Sequence, residues 1–109
     1  MQIDVEYGEK TIVLTPKIPT IDAIIADTFK KNILEMLDKK NKIIVLDMSN
    51  VKFIDSRGLG SLIYLLKNVH QDQKLVLCSI DENVYNIIKL TKFDKIFSIY
   101  SSKSAALQA

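Results

Sequence analysis

Two short runs, "KIIVLDM" at residues 42–48 and "KLVLCS" at residues 74–79, are almost unbroken apolar sequence. A strand of that composition needs cover on both faces, so it belongs inside a sheet flanked by other elements. The segments around these runs change period. "QIDVEY" alternates polar and apolar residues from Gln2 to Tyr7, the pattern of a half-buried strand, and Gly8-Glu9 then reads as a hairpin turn into "KTIVLT". Pro16 and Pro19 are expected to interrupt regular structure. From Thr20 onward Ile21, Ile24, Ile25, Thr28, Phe29, Leu34 (or Ile33), Met36 and Leu37 recur at helical spacing, with Thr20 as N-cap and Lys39 and Lys40 at the negative C-terminal end.

The second half repeats the alternation. Leu59, Leu62, Ile63, Leu66 and Val69 share one helical face, which leaves Tyr64 and Leu65 off the core stripe, to pack against a neighbouring helix or to offer apolar area to a partner. "DENVYNIIKLTKF" reads as a helix capped by Asp81, with Val84, Ile87, Ile88 and Thr91 as its buried stripe. "KIFSIY" is a last short strand, and "SSKSAALQA" a weak helix. Strand–helix alternation of this kind predicts an α/β fold: about five strands in a mixed, mostly parallel sheet, antiparallel at its start, with three to four helices. Residues 1–109 are expected to form one domain.

Charge and composition exclude several functions. The net charge is +2 and the lysines are scattered, so there is no concentrated basic face for nucleic acid. Cys78 is the only cysteine and His70 the only histidine, which leaves neither an internal disulfide nor a metal-ligand cluster to build on. No apolar run is long enough to span a bilayer, and no signal peptide is evident. The expected setting is the reducing cytoplasm, with no membrane contact.

Chemistry concentrates at "VKFIDSRGLGSLIYLLK", residues 51–67, where a strand turns sharply into a helix beginning near Ser56. The first N–H groups of a helix lack intrahelical partners, so Asp55 or Ser56 can cap them. Gly58 and Gly60 then fall within the first two turns, where each costs up to ~1 kcal/mol relative to alanine. Close packing of the helix, or open access to Ser56, would offset that cost. A G-x-G-x-x-G fingerprint would need glycine at Ile63, and no phosphate-binding G-x-x-x-x-G-K-[ST] loop occurs. A serine nucleophile needs a base. His70 lies about fourteen residues along the same helix, ~20 Å away at ~1.5 Å rise per residue. The remaining reading makes Ser56 the acceptor for another protein's kinase. A helix N-terminus tolerates the added charge, and Arg57 stands beside it.

"IIVLDMSNVKFIDSRGLGSLIYLLK" resembles the signature of the STAS domain of bacterial anti-sigma-factor antagonists. The pattern is a strand ending in aspartate (Asp47), a Met48-Ser49 pair, an aromatic (Phe53), then Asp-Ser-x-Gly-Leu-Gly at Asp55–Gly60. The similarity continues into "KLVLCSIDENVYNIIKLTKFDKIFSIYSS" and covers most of the chain. The resemblance implies a STAS-like fold and a protein that is a substrate and ligand, with no catalytic residues and no cofactor of its own. Its implied partner is an anti-sigma factor that is also a serine kinase of the histidine-kinase-like ATPase type. That kinase would phosphorylate Ser56 and thereby lose its hold, and a PP2C-type serine phosphatase would reset the switch. Partner contacts are expected around Asp22, Ser49, Asn50, Asp55, Ser56, Arg57, Gly58, Leu59 and Gly60. Asp55 is equally a cap, Ser49 and Asn50 are equally turn residues, and Asp22 is better read as an acid at a helix start.

Two features depart from the family pattern. Arg57 stands where a second small or hydroxylated residue is frequent, and "TPKIPTID" lacks the glycine of the family's glycine-acidic-apolar-aspartate run. The alternative function is a non-enzymatic STAS scaffold or ligand-binding subunit of a signalling, lipid-handling or transporter complex.

Overall fold

The computed structural model describes residues 1–109. Its main sheet has the order β1-β2-β4-β6-β7, formed by β1 (Ile3–Tyr7), β2 (Thr11–Pro16), β4 (Ile43–Asp47), β6 (Lys74–Cys78) and β7 (Ser98–Tyr100). As the alternation predicts, β1 pairs antiparallel with β2, while β2–β4, β4–β6 and β6–β7 are parallel. The edge strand β1 turns charged Asp4 and Glu6 outward, which discourages pairing with another chain.

The two apolar runs are central strands, and their side chains go to both faces. On one face Ile44, Leu46, Leu75 and Leu77 join Ile12 and Leu14 under α1 (Ala26–Met36), α2 (Ser56–Asn68) and α3 (Glu82–Leu90). On the other, Val13, Val45, Val76 and Cys78 are sealed by Ala106 of α4 (Lys103–Ala106). Full burial of a side chain such as Phe29 or Leu62 contributes about 1.5–3 kcal/mol. The Cys78 thiol is buried in this second layer, and desolvation raises its pKa.

Several local expectations are corrected. Thr20 does not cap α1. Thr20-Ile21 is a two-residue strand, β3, which pairs parallel with β5 (Phe53–Ile54) as a second small sheet. The helix therefore starts at Ala26, after a turn in which Asp22 Oδ1 accepts the N–H groups of Ile24 (3.0 Å) and Ile25 (3.2 Å). Ile24, placed in the core stripe by its spacing, is 92% exposed on that turn, and Thr28 is also exposed. α1 ends at Met36, so Lys39 and Lys40 lie in the turn beyond it rather than in its last turn.

Pro16 does not break β2 but closes it, beyond Leu14, where the pairing with β4 stops. Leu65 is fully buried, because α2 packs against α1 as well as the small sheet and buries a wider arc than one stripe. α3 stops at Leu90, and Thr91 is an exposed C-cap whose Oγ1 donates to the Ile87 carbonyl at 2.8 Å. Lys92 then takes a left-handed conformation (φ 65°) and leads into a 3₁₀ turn over Phe93–Lys95. Asp81 caps α3 as expected, accepting the Asn83 N–H at 3.0 Å.

Candidate functional site

The joint between β5 and α2 is organised by one carboxylate. Asp55 is the N-cap of α2, and its Oδ1 accepts the Gly58 N–H at 2.8 Å. Its Oδ2 reaches across the fold and accepts the Ala23 N–H at 2.9 Å. Both carboxylate oxygens are thus engaged, one on the helix start and one on the turn that precedes α1. Gly58 donates the strongest of these bonds, with Ala23, Arg57 and its own amide adding to it. Together they hold the Asp55 carboxyl below the usual carboxylate range, against a smaller desolvation effect. The ambiguity between Asp55 and Ser56 as cap is resolved in favour of Asp55.

Ser56 is therefore free of the capping task. It is the first residue of α2, and it is exposed. The N–H groups of that turn carry partial positive charge, an environment suited to an anion on the serine oxygen. Arg57, next in the chain, is exposed and belongs to none of the chain's ion pairs. His70 lies beyond the far end of α2, and its ring Nδ1 is engaged with Asp72.

The two glycines have different surroundings. A Cβ built on Gly58 would stand 1.9 Å from the Ile21 carbonyl oxygen, so only glycine lets α2 lie against β3. A Cβ on Gly60 would meet nothing within 4 Å, and Gly60 is exposed. Leu59, between them, is buried in the main core. Ser61 is buried as well, and its hydroxyl donates to the Gly58 carbonyl at 2.6 Å.

Of the other candidate residues, Asp22 is joined to this centre: it shapes the turn whose Ala23 amide Asp55 holds. Ser49 and Asn50 form the turn after β4, and their bonds run elsewhere. The Ser49 N–H donates to Asp47 Oδ1 at 3.0 Å, and Asn50 Nδ2 reaches the Pro16 carbonyl at 3.4 Å. Lys52 ties the same turn down, its ammonium 3.1 Å from the Ser49 carbonyl and 3.8 Å from Asp81.

The surface also includes residues that periodicity assigned to the core or left unassigned. Ile24 projects from the Asp22 turn, and Phe53 of β5 is 48% exposed. Tyr64 is 44% exposed, with the Lys30 ammonium 4.4 Å from its ring centroid. The pair of prolines before Thr20 was the available signal that the chain there is not yet helical.

The family model of the STAS domain matches residues 2–106. The chain belongs to the STAS-domain family. Among its relatives, a Thermotoga maritima protein is 35% identical over 85 residues, 76% of this chain and 75% of that one, and carries the provisional name anti-sigma factor antagonist. The anti-sigma F factor antagonist of Paenibacillus polymyxa is 24% identical over 109 residues, 98% of this chain and 92% of that one. Among solved structures, the Thermotoga maritima protein tm1081, again provisionally an anti-sigma factor antagonist, superimposes with a TM-score of 0.86 at 28% identity, covering 97% of this chain and 92% of that one. The five-stranded mixed sheet with four helices is the fold of these neighbours.

Proposed function

We propose that this protein is a phosphorylation-switched anti-sigma-factor antagonist, acting as a single STAS domain over residues 1–109. In its unmodified form it binds an anti-sigma factor that is also an ATPase-type serine kinase of the histidine-kinase-like fold. Phosphorylation of Ser56 ends that complex, and a PP2C-type serine phosphatase restores it. ATP and metal chemistry reside in those partners, and the protein itself is substrate and ligand rather than enzyme. Transcription is the output this reading assigns, through release and recapture of a sigma factor.

One observation carries the reading: Ser56 is exposed at the first position of α2 while Asp55 performs the capping. The helix start thus presents an uncommitted hydroxyl in a setting that accommodates an anion. A phosphate there adds roughly −1.5 to −2 charges at neutral pH without requiring the fold to rearrange. A partner surface matched to the neutral serine is then repelled, and each ~1.4 kcal/mol lost is tenfold in affinity. The antagonist names of the relatives support the same direction.

The test is incubation of wild type and Ser56→Ala with an ATPase-type serine kinase and ATP, followed by intact-mass measurement. Wild type gains one phosphate and Ser56→Ala gains none. Equal phosphate on both proteins removes Ser56 as the acceptor.

A further inference from the structure

The lysines that look scattered along the sequence are gathered in the fold. At the edge of the sheet where the parallel strands begin, the Lys42 N–H donates to the Lys10 carbonyl at 2.7 Å and the Lys74 N–H to the Lys42 carbonyl at 2.8 Å. Three lysines thus stand side by side at the entries to β2, β4 and β6. The helices run back to the same edge. Lys67 and Lys89 lie in the last turns of α2 and α3, Lys39 and Lys40 follow α1, and Lys92 and Lys95 follow α3. This end of the molecule holds nine of the fourteen lysines against five carboxylates (Glu9, Glu35, Asp38, Asp72 and Asp94), an excess of four positive charges. The remainder, five lysines and Arg57 against eight carboxylates, is net negative by two. Pairing follows the same division. Away from this end Lys17, Lys30, Lys52 and Lys103 each have a carboxylate partner, whereas at it only Lys42 does, with Asp72. The other eight lysines there are exposed and belong to no ion pair.

Attraction to the negative ends of the helices accounts for Lys67 and Lys89 at most. It does not account for the other lysines, nor for the apolar side chains set among them: Leu90 is 82% exposed and Ile96 46% exposed, interleaved with Lys89, Lys92 and Lys95. We propose that this end of the fold docks on an anionic lipid surface, with Leu90 and Ile96 entering the interface and the ammonium groups around them set against headgroup phosphates. Two features select lipid over nucleic acid or an acidic protein. Every cation at this end is a lysine, a compact point charge suited to the diffuse field of a charged surface, while the single arginine, whose guanidinium fork suits bidentate recognition, lies at the opposite end of α2. Exposed aliphatic side chains between lysines gain from an acyl boundary and nothing from a phosphodiester backbone. Docking in this way leaves Ser56 at the far end. Ser56 and Lys67 are eleven residues apart on α2, ~16 Å at ~1.5 Å per residue, which is about twice the Debye length of ~8 Å at physiological salt. The inference goes beyond the Ser56 reading and stands without it.

The experiment is sedimentation of the full chain with vesicles of phosphatidylcholine alone or of phosphatidylcholine with phosphatidylglycerol, at low and at physiological salt. Wild type sediments with the phosphatidylglycerol vesicles, stays in solution with phosphatidylcholine, and binds more weakly as salt rises. Lys92→Gln/Lys95→Gln lowers the partition coefficient about 25-fold, since each lysine near an anionic surface contributes about fivefold. Lys17→Gln/Lys31→Gln removes the same net charge away from this end and stays within about twofold of wild type. Leu90→Gln keeps every charge and lowers the partition coefficient roughly tenfold. All five positions are exposed, and the far-UV CD spectrum of each variant matches wild type. Equal losses in the two lysine pairs overturn the inference, because net charge alone would then carry the binding. Wild type that ignores phosphatidylglycerol at low salt overturns it, as does Leu90→Gln binding as well as wild type. A chain retained by heparin or duplex DNA but not by the vesicles overturns it in favour of another polyanion.

Discussion

Asp55 accepts the Ala23 amide at 2.9 Å, a contact between residues 32 positions apart that joins the start of α2 to the turn before α1. The other oxygen of the same carboxylate holds Gly58. One side chain therefore sets both the pose of Ser56 and the position of the exposed Ile24 turn.

Asp55→Ala removes both bonds and leaves two N–H groups without their acceptor. The expected result is a lower Tm, by at least several degrees, with faster hydrogen exchange at the Ala23 and Gly58 amides specifically. Asp55→Asn keeps one carbonyl acceptor and should fall between wild type and alanine. Exchange that accelerates at Gly58 but not at Ala23 would show that the two elements are not tied through this residue.

Gly58→Ala places a methyl group where only 1.9 Å separates it from a backbone oxygen. A carbonyl in the β3–β5 ladder has little freedom to move, so α2 must shift away from the small sheet. Overpacking of this kind costs about 1–3 kcal/mol, readable as a lower urea midpoint at unchanged slope. The substitution that destabilises at position 58 stabilises at position 60, although both are glycines of one helix.

Much of the architecture was legible because the central strands and the helices differ in hydrophobic period. "KIIVLDM" and "KLVLCS" announced themselves as two-sided strands, and the parallel order followed from alternation. What was not legible depends on contacts between distant segments. Nothing local in Thr20-Ile21 reveals that Phe53-Ile54 will pair with it, so the helix was expected five residues early and Ile24 was counted as core. Leu65 was left open between a neighbouring helix and a partner for a related reason: a single stripe describes a helix with one neighbour, and α2, with α1 beside it as well as the small sheet, buries Leu65. At the site, residue identity was readable from the Asp-Ser-x-Gly-Leu-Gly run. The division of labour between Asp55 and Ser56, and the difference in surroundings between Gly58 and Gly60, needed the position of the Ile21–Ala23 backbone.

Acid stability offers a check at the opposite end of the strands. Asp72 bonds first to Lys42, whose ammonium is 2.6 Å away, and then to His70, and these hold its carboxyl down to about 2. A carboxyl depressed in the folded state stabilises the fold above its unfolded pKa, near 3.9, and loses that contribution as pH falls toward about 2. Asp55 acts in the same direction. Asp72→Asn should therefore lower stability at pH 7 yet converge with wild type as the pH approaches 2. Because Asp72 is solvent-exposed, the difference should also shrink in high salt. A gap between the two proteins that stays constant from pH 7 to pH 2 would contradict the assignment.

Arg57 is the residue through which partner choice is most open to test. It is an exposed cation adjacent to Ser56, outside every ion pair of the chain, so the fold does not depend on it. Arg57→Glu should leave the far-UV CD spectrum at wild type and Tm within a few degrees. In the proposed complex it should lower affinity for the serine kinase by roughly tenfold or more at low salt, mainly through the association rate. The difference should narrow as ionic strength rises, because the Debye length contracts from about 10 Å at 0.1 M to about 3 Å at 1 M. Arg57→Ser, which removes the charge and restores a hydroxyl, distinguishes charge from size. If serine binds as weakly as glutamate, the stem of Arg57 matters through packing; if it lies midway, the charge does.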